Sequence, residues 1–226
     1  SEQHLAAIRH CNGIDTWIVA HEYNSNNYVS FLLSSAGLNT VGVVSTIGVP
    51  IPVNSGGVLK ASTDGNKLAF ILAPVGVELY DFNRSNGFLS NALLLNDTTI
   101  SSGGELSADG SKLYTNTLGN QGSYLMQWDL CAGSPTAILA SRDTVGISTN
   151  SITGVMQYMQ LAQNGRIYIS QGSGYLGVIS DPETPGSGCN YVSNAYNYTP
   201  NIVLGLPDFE SHLLRAKFNY TAANSC

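Results

Sequence analysis

Hydrophobic and polar positions alternate with a period of two along most of this chain, in short runs that end at turn residues. The clearest segment is 107–114, in which Asp109-Gly110 separates two apolar runs, and similar segments surround Asn12-Gly13, Asp64-Gly65 and Asn164-Gly165. Asp-Gly or Asn-Gly between alternating runs is the strongest short-range hairpin signal, because both central residues of a type I′ turn need a positive φ. Each segment therefore predicts a β-hairpin.

A second pattern follows each hairpin signal. Alternating apolar residues end near an Asp in 77–82, 124–130 and 175–181, and a degenerate unit opens the chain. The turn glycines are 45 to 55 residues apart, at positions 13, 65, 110 and 165. Repeats of about 40 to 50 residues with several strands each are typical of propeller blades, and helix signals are nearly absent. The sequence predicts an all-β fold, a β-propeller or partial propeller with four-stranded, WD-repeat-like blades.

The repeats indicate one propeller-like domain over residues 1–215, with about four to five blades, and a tail or linker over 216–226. We expect blades near residues 1–45, 56–95, 103–140 and 154–182, with a closing segment after them. Unclosed blades would expose strand edges. We therefore expect the chain to be part of a longer polypeptide whose other domains supply further blades.

Composition narrows the possible partners. Only 11% of the 226 residues are charged, the net charge is −6, and the nine basic residues are scattered. Without a basic stripe, nucleic-acid binding is disfavoured. The apolar runs are well below the roughly 20 residues that cross a bilayer, so no membrane insertion is expected. A polar, weakly charged surface is common in extracellular all-β proteins.

Four cysteines lie far apart, without the paired spacing of a zinc site. Two disulfides in an oxidising compartment and buried free thiols are both compatible with this spacing. If pairs exist, Cys131 with Cys189 is our hypothesis, since both follow the last strand signal of neighbouring repeats.

Motifs for catalysis are missing or incomplete. His21-Glu22 lacks the second His of a zinc-protease motif, and the Asp-Gly turns depart from the sialidase Asp-box. Glycoside hydrolysis needs two carboxylates at one cleft, and the spacing of the acids does not identify such a pair. There is no nucleophile elbow, phosphate loop or dinucleotide motif. The sequence therefore names no catalytic, cofactor-binding or metal-binding residue.

Aromatic residues recur in every unit, and most are expected to pack between sheets. Three tyrosines near the end of the chain lie in a loop-like region and are candidates for ligand contact: Tyr191, Tyr196 and Tyr198. Asn96 and Asn197 fit the N-glycosylation pattern.

The chain resembles a region of large secreted Bacteroidota proteins. The resemblance is carried by residues 5–23, 59–69, 77–82, 124–130 and 204–209. In that family a propeller-like region precedes PKD or other immunoglobulin-like modules and a C-terminal type IX secretion sorting domain. The resemblance implies export to the cell surface or medium and an adhesin-like role, and it makes Thr98 and Thr144 candidate O-glycosylation sites. It carries over no catalytic residue.

The function predicted from the sequence is a non-enzymatic, extracellular or cell-surface module for binding or assembly. Its expected partners are carbohydrate, another surface protein or other domains of the same longer chain. The alternative is a secreted hydrolase or lyase that acts on polysaccharides at one face of the propeller. A structural spacer is a third interpretation.

Overall fold

The computed structural model describes residues 4–51, 56–73, 75–119, 122–148, 156–171, 174–197 and 206. In this part of the chain the strands form four antiparallel sheets, which follow one another in sequence order. Each sheet is a meander whose strands pair in chain order, and longer segments join the last two strands of blades 3 and 4. The prediction of an all-β propeller with four-stranded blades is confirmed.

Blade 1 contains β1 (Leu5–Arg9), β2 (Thr16–His21), β3 (Asn27–Ser34), β4 (Gly37–Leu38) and β5 (Val43–Thr46). Its outer edge is divided, because β4 and β5 both pair with β3. Blade 2 contains β6 (Gly57–Ala61), β7 (Lys67–Leu72), β8 (Gly76–Asn83) and β9 (Phe88–Leu95).

Blade 3 contains β10 (Ile100–Leu106), β11 (Lys112–Gly119), β12 (Gly122–Asp129) and β13 (Asp143–Ser148). Blade 4 contains β14 (Met156–Leu161), β15 (Ile167–Gln171), β16 (Tyr175–Ile179) and β17 (Tyr191–Asn197). The first strands of successive blades lie side by side, β1 with β6, β6 with β10 and β10 with β14. These first strands form the inner wall of the propeller.

Three cores lie between the four blades. Trp17, Tyr28 and Phe70 belong to the core between blades 1 and 2, and Ile71 and Trp128 to the core between blades 2 and 3. A third core joins blades 3 and 4. Side chains on a strand alternate between the two faces of its sheet, so each middle blade supplies apolar residues to two cores. This arrangement explains why β7 in blade 2 is buried along almost its whole length, whereas β2 in blade 1 alternates.

The hairpin turns lie where the sequence places them, but their geometry is not the expected type I′. Gly65 and Gly110 have φ of 75° and 73°, whereas Asp64 and Asp109 are not in the left-handed region. Gly65 N–H donates to the Ser62 carbonyl, which closes a four-residue turn. A β-turn that ends in a left-handed glycine matches the type I preference for Ser first and Gly fourth. The expectation of two positive φ values was therefore wrong.

Two segments differ from what the sequence predicts. A short α-helix, α1 (Pro135–Ala140), lies between β12 and β13, with Ser134 accepting a hydrogen bond from Ala137 N–H at its start. The outer strand of blade 4 is β17, so Tyr191 and Tyr196 lie on a strand instead of a loop. In the described part of the chain, no helix is long and apolar enough to cross a membrane.

The proposed disulfide between Cys131 and Cys189 is wrong. Cys189 is a buried free thiol and Cys11 an exposed one, whereas Cys131 is disulfide-bonded. Cys189 lies in the core between blades 3 and 4, and burial is the main reason that the pKa of its thiol is raised. The cysteine therefore serves as a small core residue.

Candidate functional site

A solvent-open cleft of about 440 Å³ lies beside the hairpin turns of blades 2 and 3. Its volume is in the range of small-molecule sites. Polar side chains supply most of its lining, which consists of Ser62, Asp64, Asn66, Lys67, Asp81, Phe82, Asn83, Ser90, Asp109 and Gly110. Carboxylates, amides, hydroxyls and one ammonium group therefore converge on one accessible space.

The two turns beside the cleft are near copies of each other. In blade 2, Ser62 Oγ donates to Asp64 Oδ1 at 2.6 Å and accepts from Lys67 N–H at 3.0 Å. In blade 3, Ser107 Oγ donates to Asp109 Oδ1 at 2.8 Å, and Lys112 N–H donates to the same Ser oxygen at 2.9 Å. One oxygen of each Asp is thus held by its own turn, which fixes the orientation of the carboxylate.

The second carboxylate oxygen differs between the two turns. Asn66 Nδ2 donates to Asp64 Oδ2 at 2.8 Å, so both oxygens of Asp64 are occupied. In blade 3 the equivalent position is Ser111, whose backbone N–H donates to Asp109 Oδ1 at 2.8 Å. Within the described residues, Asp109 Oδ2 accepts no hydrogen bond. Asp109 is therefore the carboxylate of these turns that has an oxygen available to a ligand.

A cation lines the same cleft. Lys67 Nζ lies 3.6 Å from Asp81 Oδ1, and both side chains are partly exposed. Asn91 Nδ2 donates to the other oxygen of Asp81 at 2.7 Å. Exposed pairs of this kind contribute little to stability, about 0–1 kcal/mol. The Lys67 ammonium can therefore turn to a ligand at small energetic cost.

Deeper in the propeller, three polar residues join three inner strands. Lys60, Glu105 and Gln160 each lie five residues before a turn glycine, and all three are buried. Lys60 Nζ lies 3.4 Å from Glu105 Oε2 and donates to Gln160 Oε1 at 3.3 Å. Glu105 also accepts hydrogen bonds from the backbone N–H groups of Leu106 and Leu161. Because the cluster is closed to solvent, we interpret it as a structural tie between blades 2, 3 and 4.

Four groups with shifted pKa values lie outside the cleft, between blades 1 and 2. Burial is the main cause for each of these groups: it raises the pKa of Glu78 and of the hydroxyls of Tyr28 and Tyr80, and lowers that of His21 to about 4. Glu78 lies early in β8, while Asp81 lies later in the same strand. The cleft and these perturbed groups are therefore separate features.

The tyrosines predicted to contact a ligand do not line the cleft. Tyr191 packs against the core of blades 3 and 4 and accepts a hydrogen bond from Gln171 Nε2 at 3.0 Å. Tyr196 is 44% exposed, and its ring is tilted by 41° from that of Tyr168. Tyr198 lies outside the described residues. Two tilted rings do not form a flat stacking platform for a sugar.

The predicted modification sites are accessible. Asn96, Thr98, Thr144 and Asn197 are exposed. Their glycosylation stays a prediction. His21 belongs to the incomplete zinc-protease motif of the sequence. Its ring packs edge-to-face against that of Tyr28, with centroids 4.8 Å apart. Among the described residues no group of three or more His, Cys, Asp and Glu side chains could hold a metal ion.

No protein-family model matches the chain, and no curated protein matches it. Solved structures do match. A Bacteroides uniformis protein provisionally named a 6-phosphogluconolactonase is 17% identical with a TM-score of 0.46, and the match covers 80% of this chain and 48% of that one. A Bacteroides fragilis protein of the same provisional name is 14% identical with a TM-score of 0.49, covering 77% of this chain and 50% of that one.

A periplasmic gluconolactonase from Pseudomonas aeruginosa is 15% identical with a TM-score of 0.48, and the match covers 81% of this chain and 52% of that one. This chain therefore spans about half the length of the solved chains it matches. At such low identity the likeness is one of fold. The names of these three propellers, all lactonases, stand against the predicted non-enzymatic, adhesin-like module.

Proposed function

We propose that this domain belongs to a hydrolase that binds a small polyhydroxylated molecule in the cleft between the turns of blades 2 and 3. The observation that carries the proposal is Asp109, whose Oδ1 is held by its turn while Oδ2 accepts no hydrogen bond within the described residues. The lining also supports it. Carboxylate and amide oxygens accept hydrogen bonds from hydroxyl groups, and amide nitrogens and the ammonium donate to them.

The bond we propose as the target is an ester within such a molecule, a lactone of a sugar acid. Asp109 Oδ2 would take a proton from water as the water oxygen bonds to the carbonyl carbon. Lys67 would stabilise the negative charge that develops on the carbonyl oxygen. The ring C–O bond then breaks, its oxygen receives the proton from Asp109, and the product is a hydroxy acid.

The experiment compares two variants at matched turns. Hydrolysis of aldonolactones is followed by acid release at constant pH, with the native chain, Asp109→Asn and Asp64→Asn. A positioned general base typically contributes about 10²–10⁴-fold. We expect Asp109→Asn to lower kcat/KM by that factor and Asp64→Asn to lower it by less than about tenfold, because both Asp64 oxygens are already occupied.

Equal losses in the two variants would remove the special role of Asp109. Absence of both turnover and saturable binding across the lactone series would contradict the substrate class.

The proposal also places the protein outside the cytoplasm, and the disulfide at Cys131 supports that location, because disulfides persist in oxidising compartments.

A further inference from the structure

Glu78 is a buried acid at the contact between blades 1 and 2. The residue is 1% exposed. Its Oε2 accepts a hydrogen bond from Tyr80 OH at 2.5 Å, and its Oε1 accepts one from Val49 N–H at 2.9 Å. Tyr80 OH in turn lies 2.9 Å from Tyr28 OH on β3. The acid is therefore the centre of a network that joins both blades to the connection between them.

The connection lies directly on the acid. A Cβ at Gly48, whose φ is +82°, would come within 2.7 Å of Glu78 Oε1. On either side the chain is held to blade 1, because Ile47 N–H donates to the Asn26 carbonyl and Ile51 N–H to the Ser25 carbonyl, both at 3.0 Å. Val49 N–H to Glu78 is thus the hydrogen bond that fixes the middle of this stretch to blade 2.

The surroundings of Glu78 hold few charges. In the described part of the chain, the ionisable groups that face it are Tyr80 on its own strand and Tyr28 on β3. From β7 the residue opposite is Phe70, and the 47–51 connection has no ionisable side chain. The ring of His21 on β2 packs against the rings of Tyr28, edge-to-face, and Phe70, at a tilt. A carboxylate here would be buried without a cation among these neighbours, which is costly.

We propose that Glu78, Tyr80 and Tyr28 form a proton-dependent latch that holds residues 47–51 against blade 2 and loosens as the pH rises. With a proton on Glu78, the acid donates to Tyr80 and Tyr80 donates to Tyr28, so every buried oxygen has a partner. When Glu78 loses this proton, Tyr28 donates to Tyr80 and Tyr80 donates to the carboxylate, and the buried site gains a negative charge. The closed site keeps its hydrogen bonds in both states, but a carboxylate is far better solvated by water than by this site, so deprotonation favours opening of the 47–51 connection that covers it.

The direction of the effect follows from linkage. Burial raises the pKa of Glu78, and this outweighs the opposite effects of its hydrogen bonds from Tyr80 and Val49. A group whose pKa is higher in the folded than in the unfolded chain stabilises the fold fully below the unfolded value of about 4.3. That contribution is lost as the pH rises through the folded pKa. The latch therefore holds residues 47–51 most firmly at low pH.

The test is hydrogen exchange of the backbone amides of Ile47, Gly48, Val49 and Ile51, corrected for the intrinsic pH dependence of exchange; Pro50 has no amide hydrogen. Between pH 5 and pH 8 we expect their protection in the native chain to fall relative to that in Glu78→Gln, because burial raises the pKa of the Glu78 carboxyl and the variant has no carboxyl at this position. Asp143→Asn, which neutralises an exposed carboxylate, is the matched control and should follow the native chain.

Tyr80→Phe supplies an independent check. Tyr80 lowers the pKa of Glu78 by donating to its carboxylate, so removing the hydroxyl should move the loss of protection to higher pH. Parallel protection curves for the native chain and Glu78→Gln at every pH would overturn the latch. So would a shift to lower pH in Tyr80→Phe. Neither readout depends on hydrolysis in the cleft.

Discussion

Replacing Gly104 by Ala tests the packing of blade 2 on blade 3. A Cβ at this position of β10 would lie 2.8 Å from Ile71 Cγ1 and 2.9 Å from the Tyr114 carbonyl oxygen. Ile71 is fully buried between the two blades, so its side chain has no free space to move into. β10 must then move by about 0.6 Å, the difference between 2.8 Å and the 3.4 Å of ordinary van der Waals contact.

Overpacking a well-packed core costs about 1–3 kcal/mol. Gly→Ala also restricts the unfolded chain, which offsets about 0.4–1 kcal/mol. At the midpoints of these ranges the net loss is about 1.3 kcal/mol, which corresponds to a Tm lower by about 3–5 °C for a chain of this length. Circular dichroism during heating measures this shift.

Gly56→Ala is the matched control, because a Cβ there meets no atom within 4 Å. Its Tm should equal or slightly exceed that of the native chain, through the unfolded-state effect alone. If Gly104→Ala unfolds at or above the temperature of Gly56→Ala, β10 is not packed against Ile71 as described, and the inferred contact between blades 2 and 3 is refuted.

Two further predictions concern groups between the blades. The His21 ring should titrate with a midpoint near pH 4 by NMR, mainly because burial lowers its pKa. The contribution of the neutral ring to stability is present above about pH 6.5 and is lost as the pH falls towards 4. A midpoint near 6.5 would contradict the burial. A thiol reagent should modify Cys11 in the native protein and Cys189 only after unfolding, since one thiol is exposed and the other buried; fast reaction of both would show that the core between blades 3 and 4 opens.

The turns and blades could be predicted because their signals are local. Gly65 and Gly110 adopt a positive φ, which costs Gly no steric clash, and a strand such as β2 alternates because successive side chains point to opposite faces of its sheet. The turn type was not predicted correctly, because it depends on the hydrogen bonds of Ser62 and Ser107. β17 was missed because the Pro-Gly-Ser-Gly run at 185–188 just before it and Asn194 within it, with φ of 53°, indicate a loop.

The burial of Glu78 could have been predicted from the sequence. Glu78 shares its alternation with Tyr80 and Phe82, the residues of β8 that face blade 1, so the period of two already placed a carboxylate on an apolar face. The cleft gave no comparable signal. Its lining comes from the hairpin turns of blades 2 and 3 and from the later part of β8. Only folding brings these segments together.

Function in this fold is best sought where the repeats stop being equivalent. The Ser-x-Asp-Gly turns of blades 2 and 3 build the same hydrogen-bonded frame, which alone would indicate a structural role for both Asp side chains. The residue two places after each Asp breaks the equivalence, since Asn66 closes one carboxylate and Ser111 leaves the other open. In a solvent-open cleft the open oxygen of Asp109 can bind water or the hydroxyl group of a ligand, whereas both oxygens of Asp64 are occupied by donors of its own turn. That difference makes Asp109 the first residue to mutate.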